Sequence, residues 1–78
     1  MIKLWKLITD QIEEPYVYYL IEADNTIVGA LSYRKEITQY YVSFNERYNE
    51  VDWLGSCFTA ATRFIDKVIN PENWTDNQ

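Results

Sequence analysis

Histidine is absent from this 78-residue chain, and cysteine occurs once, at position 57. Without histidine there is no Ser–His–Asp or Cys–His arrangement and no His-x-Glu deaminase signature. The usual general base and the commonest metal ligand are missing as well. A single cysteine leaves no disulfide framework within the chain and no multi-cysteine zinc site. Glycine is almost as scarce: Gly29 and Gly55 are the only two, which excludes a Walker-A loop and a dinucleotide fingerprint. No apolar run approaches the ~18 residues of a membrane span. The N-terminal "MIKLWKLITD" is interrupted by charge where a signal peptide carries its apolar region. A cytoplasmic protein without membrane contact is expected. Positive charge is thin: seven Lys and Arg against twelve Asp and Glu give a net charge of −5. An acidic chain repels phosphate backbones, so direct nucleic-acid binding is not expected.

Apolar and aromatic residues are plentiful instead: 47 % of the chain is apolar and 17 % aromatic, with seven tyrosines and three tryptophans. That composition can support a packed core, and the length suits one domain. The domain is expected over residues 1–70, with a short polar tail at 71–78. Residues 2–9, "IKLWKLIT", read as a strand with Ile2, Leu4 and Ile8 on one face and Trp5 and Leu7 on the other. So short a run also admits a helical reading. "DQIEEP" follows as a polar connection.

"EPYVYYLIEADNTIVGALSYR" reads as a hairpin turning at Asp24-Asn25, two residues that tolerate the positive φ of a type I′ turn. That loop sets Ala23 opposite Thr26, Ile21 opposite Val28, Tyr19 opposite Ala30 and Val17 opposite Ser32. On the other face Leu20 meets Gly29 and Tyr18 meets Leu31. A further strand is expected from Ile37 to Phe44 after a turn near Lys35-Glu36. "NERYNE" is a polar break in which Asn49 and Asp52 have capping-box spacing. Val51, Leu54, Phe58, Ala61, Ile65 and Val68 then recur at steps of three and four, predicting an amphipathic helix over 51–69. Cys57 and Phe64 widen its apolar stripe, and Pro71 stops it. The fold class is therefore α+β: a small antiparallel meander of three to four strands, then one C-terminal amphipathic helix packed on one face.

One helix covers one face, yet both faces of the expected sheet are apolar. The first holds Tyr18, Leu20, Leu31, Tyr40, Val42 and Phe44; the second holds Val17, Tyr19, Ile21, Val28, Ala30 and Tyr41. Gly29, in mid-strand, dents the first and favours it as the covered one. The aromatic residues left over are of the kind that anchor interfaces. Tyr19 and Tyr41, with Trp5 and Trp74, are the expected partner-binding residues. Glu13, Glu14, Glu46, Glu50 and Asp52 are expected to form an acidic rim that meets a basic surface.

Chemistry finds little to work with. Carboxylates near a helix start ordinarily stabilise its dipole. Glu46, Glu50 and Asp52 lack EF-hand spacing for a hard cation. Cys57, on the apolar stripe, is expected to be buried and inert. No catalytic, cofactor-binding or metal-binding residue is expected. "YYLIEADNTIVGALSYR" resembles the central hairpin of acetyltransferases of the GNAT type, over less than a quarter of the chain. That family's Gly-rich pyrophosphate loop is missing, because "SFNERYNEVDWLGS" has the single late Gly55. Acetyl transfer is therefore not expected. In size and charge the chain resembles small phage-encoded inhibitors of host defence, anti-CRISPR proteins among them. The expected function is a small acidic protein-binding module, an inhibitor or adaptor of a nucleic-acid-processing or host-defence protein. The alternative is a constitutive homodimer or a structural subunit of a larger assembly.

Overall fold

The computed structural model describes residues 2–13 and 16–74, with residues 10–13 and 16 described by backbone alone. Five strands follow one another: β1 (Trp5–Glu13), β2 (Tyr16–Ala23), β3 (Thr26–Arg34), β4 (Gln39–Phe44) and β5 (Asp52–Gly55). They pair antiparallel in sequence order. One helix, α1 (Phe58–Ile69), packs against the sheet, and a 3-10 turn (Pro71–Trp74) ends the described chain. The α+β meander with a C-terminal helix is as expected. The first strand is displaced from the expected 2–9: residues 2–4 precede it, and it runs from Trp5 through "DQIE", expected as a connection, to Glu13.

A fifth strand takes the place of the expected first turns of the helix. Val51 and Leu54 match helical spacing, but Trp53 and Leu54 pair with Val42 and Tyr41 across the sheet. Tertiary hydrogen bonding outweighs a two-position coincidence of period. Gly55 also disfavours helix at this point, and the Trp53 ring lies over it. A Cβ there would stand 2.5 Å from Trp53 Cη2. Asn49 is not a helix N-cap either: it sits at φ 62, closing a 3-10 turn over Glu46–Tyr48. The residue that opens α1 is Cys57, extended and without a side-chain capping bond. Its thiol is exposed rather than buried, because it precedes the helix instead of lying on its stripe.

The Asp24-Asn25 turn forms as expected, with φ of 55° and 60° and Ala23 opposite Thr26. Beyond it the register departs from strict alternation. Val28 is bulged: Glu22 faces Ile27, then Ile21 faces Gly29, so Tyr19 meets Leu31 and Tyr18 meets Ser32. Asn45 holds the bulge in place. Its N–H donates to the Val28 carbonyl at 2.9 Å, and its side-chain amide donates to the Ile27 carbonyl at 3.2 Å. Gly29 allows the strands to close beside the bulge, since a Cβ there would lie 2.5 Å from the Ser43 carbonyl oxygen. One slipped residue moves every later side chain to the other face.

The covered face therefore draws on both expected sets. Ile21, Ala23, Val28, Leu31, Val42 and Phe44 of the sheet are buried against Ala61, Ile65 and Ile69 of α1. These helix positions recur every four residues, one stripe on a helix of 3.6 residues per turn. Val68 packs at the margin. Leu54 and Phe58, expected in the core, are 59 % and 44 % exposed. One sits on the far face of β5 and the other at the first position of the helix.

The start of β1 and the turn after α1 are tied to the helix through Asp66. Its carboxylate accepts from Trp5 Nε1 at 2.9 Å, Asn70 Nδ2 at 3.1 Å and Trp74 Nε1 at 2.8 Å. Burial pushes this carboxyl up, but the three donors outweigh it and hold it below the usual carboxylate range. Asn70, fully buried, accepts from the Lys3 N–H at 2.7 Å and donates to the Lys3 carbonyl at 3.0 Å. Residues 71–74, expected as part of the polar tail, are held here, with Lys67 Nζ 5.3 Å from the centre of the Trp74 ring. Among the described residues no helix is long and apolar enough to cross a membrane.

Candidate interaction surface

α1 crosses the sheet diagonally. Phe58 at its start meets Tyr40 on β4, with ring centroids 5.6 Å apart, and Asp66 near its end meets Trp5 on β1. No described element covers the opposite face. The observed register arranges that face in rows across the strands. Tyr18, Ser32, Tyr41 and Leu54 form one row, from β2 to β5. Ile8, Leu20, Ala30, Ser43 and Asp52 form the next. Lys6, Glu22 and Ile27 form a third, with Lys6 Nζ 3.5 Å from the Glu22 carboxylate.

The first row is the most exposed apolar part of the sheet: Tyr18 is 42 % exposed, Tyr41 41 % and Leu54 59 %. The small side chains of β3, Ala30 and Ser32, lie between the larger ones of β2 and β4. A notch of about 200 Å³ opens over Ser32, walled by Tyr18, Tyr41 and Leu54, with Arg34 and Gln39 at its end. The Ser32 hydroxyl donates to the Tyr41 carbonyl at 3.4 Å and does not project from the floor. The surface can take up an apolar or aromatic side chain, while its phenols keep a polar group available at the edge.

Of the expected contact residues, Tyr41 stands on this open face. Tyr19 does not: the bulge turns it to the helix side, where it packs half-buried against the core. Trp5 and Trp74 are on the helix side as well, each donating to Asp66. Tyr18 and Leu54 are contact candidates that the sequence reading misses, Tyr18 because the bulge shifts β2 against β3 and Leu54 because its spacing reads as helix. The signal that could have found Tyr18 is Gly29, because an isolated glycine within a strand marks a bulge as well as a close approach.

Three expected rim residues come together. Glu46, Glu50 and Asp52 are exposed and line, with Ser43, Phe44 and Asn45, an open cleft of about 490 Å³ beside the β4–β5 loop. Glu14 lies outside the described residues, and Glu13 is described by backbone alone. The β2–β3 turn and the β4–β5 loop are at the same end of the sheet, where Asp24 lines a separate hollow with Lys6 and Glu22. Among the described residues no cluster of three His, Cys, Asp or Glu side chains is arranged to hold a metal ion.

A second aromatic region lies on the helix side, beyond the first turn of α1. Tyr33 and Tyr40 stack with centroids 4.5 Å apart. They line a groove of about 420 Å³ with Val17, Tyr19, Lys35 and Phe58. Burial, then the neighbouring Tyr33, Tyr19 and Cys57, push the Tyr40 phenol up, so it stays a neutral hydrogen-bonding group. No protein-family model matches the chain, and neither a curated protein nor a solved structure matches it.

Proposed function

We propose that this chain is a protein-binding module that inhibits or adapts another protein, and that its contact surface is the open face of the sheet. The row Tyr18, Ser32, Tyr41 and Leu54 carries the reading: three large side chains stand 41–59 % exposed on a rigid four-strand platform. Monomers seldom leave contiguous apolar patches of more than a few hundred Å² in water. Tyrosine is among the residues enriched in binding hot spots. Nucleic-acid-processing proteins, whose surfaces are basic, suit a chain of net charge −5.

The test compares immobilised wild type with two variants in a native-host lysate. Tyr18→Ser/Leu54→Ser alters the open face, and Arg63→Glu alters an exposed position on α1. The reading requires one protein retained by wild type and by Arg63→Glu but lost from the open-face variant, with thermal midpoints of all three close together. Light scattering on the purified chain supplies the other arm. A dimer that dissociates in Tyr18→Ser/Leu54→Ser would make the face a self-association surface and replace the reading with a homodimer.

A further inference from the structure

Resting on that reading, we infer that the open face binds a basic protein in one orientation, with the partner's Lys and Arg side chains over the end of the sheet formed by the β2–β3 turn and the β4–β5 loop. The fold, not the composition, concentrates charge there. Asp24 and Asn25 make one turn; Glu46 and Glu50 flank the loop beside it; Asp52 begins β5. Asn45 bonds the loop to Ile27 and Val28 and keeps the two segments together. Asp24, Glu46, Glu50 and Asp52 are all exposed. Glu22 is engaged by Lys6 at 3.5 Å, and Asp24 lines a hollow with both, while Glu46, Glu50 and Asp52 share the cleft beside the β4–β5 loop. Asp52 is itself on the open face, in the row next to Tyr41 and Leu54.

The chain thus offers an apolar row with carboxylates along one end. A second copy would bring the same net charge of −5 to the contact, and nucleic acid would bring phosphates; both are repelled. A protein with an apolar centre and a basic margin is the complement. Because the carboxylates are exposed, they act on encounter and orientation more than on the strength of the final contact. Screening acts over a Debye length of ~8 Å at physiological salt, so their effect belongs to low ionic strength.

The probe is the protein captured by wild type in the lysate experiment, followed by surface association kinetics with the wild-type chain. Glu46→Lys/Glu50→Lys reverses charge at the acidic end; Glu36→Lys, at the other end of β3, is the control. The expected result is a drop in association rate of about tenfold at low salt for the double variant. That difference should close as salt rises, with little change in dissociation rate and a smaller effect from Glu36→Lys. Equal effects of the two reversals, or an unchanged association rate for Glu46→Lys/Glu50→Lys, overturn the orientation while leaving the open face as the binding surface. A wild-type chain that captures no protein through this face overturns the functional reading and the orientation with it.

Discussion

The two faces of the sheet are built from the same strands and both carry tyrosine and aliphatic side chains, yet they have opposite fates. On the helix side Leu31 and Val42 are fully buried against Ala61 and Ile65. On the open side their sequence neighbours Ser32 and Tyr41 lie in a row that water reaches. Period-2 alternation places neighbours on opposite faces but does not say which face the helix takes. An apolar side chain is committed to the core only when something covers it. A tyrosine that closes the core on one side stands exposed on the other.

The contrast is sharpest in stability. Leu31→Ala removes a side chain with no exposed surface and should cost about 2–5 kcal/mol. For a domain this small that is a large share of the total, and urea unfolding should show it directly. A loss below about 1 kcal/mol would mean the helix does not seal this face.

A smaller loss is expected at the hub that fastens the start of β1 and the turn after α1 to the helix. Asp66→Asn takes the charge from a group that accepts from Trp5, Asn70 and Trp74, and about 2 kcal/mol should be lost at neutral pH. The Asp66 carboxyl is held below its usual range when folded. Its contribution is therefore complete above the unfolded-state value and drains away as pH falls through the folded one. The gap between wild type and Asp66→Asn should close below about pH 4. A gap that is constant down to acid would show that packing of the two indoles, not the ionised carboxylate, carries the effect.

The smallest effect is expected on the open face. Leu54→Ala, at a position 59 % exposed, should change the unfolding free energy by less than about 1 kcal/mol. A cost comparable to Leu31→Ala would place a covering element over this face and erase the distinction between the two sides.

Phe58 shows how far the sequence could be followed. Its place in a series at steps of three and four marks it as core, and Ala61 and Ile65 of that series are buried. Phe58 itself begins the helix and is partly open, because the preceding residues pair as β5. The candidate site was legible in kind but not in membership. An apolar second face was expected, and Tyr41 is on it, but Tyr18 replaces Tyr19 there. The acidic rim is legible at Glu46, Glu50 and Asp52, whereas their alignment with Asp24 depends on which sheet end each turn occupies.

The sequence by itself determined what acts over a few residues. Asp24-Asn25 makes a tight turn because both side chains accept positive φ. Ala61, Ile65 and Ile69 share a helix face because the period is 3.6. The lack of histidine removes whole classes of chemistry wherever the chain goes. The tertiary structure decided what depends on distant partners. Asn45 reaches back eighteen residues to hold the bulge next to Ile27, and that one hydrogen-bonded slip determines which tyrosines meet the core and which meet water. No local propensity encodes it, since the energy that selects the register is released only when β3, β4 and the β4–β5 loop come together.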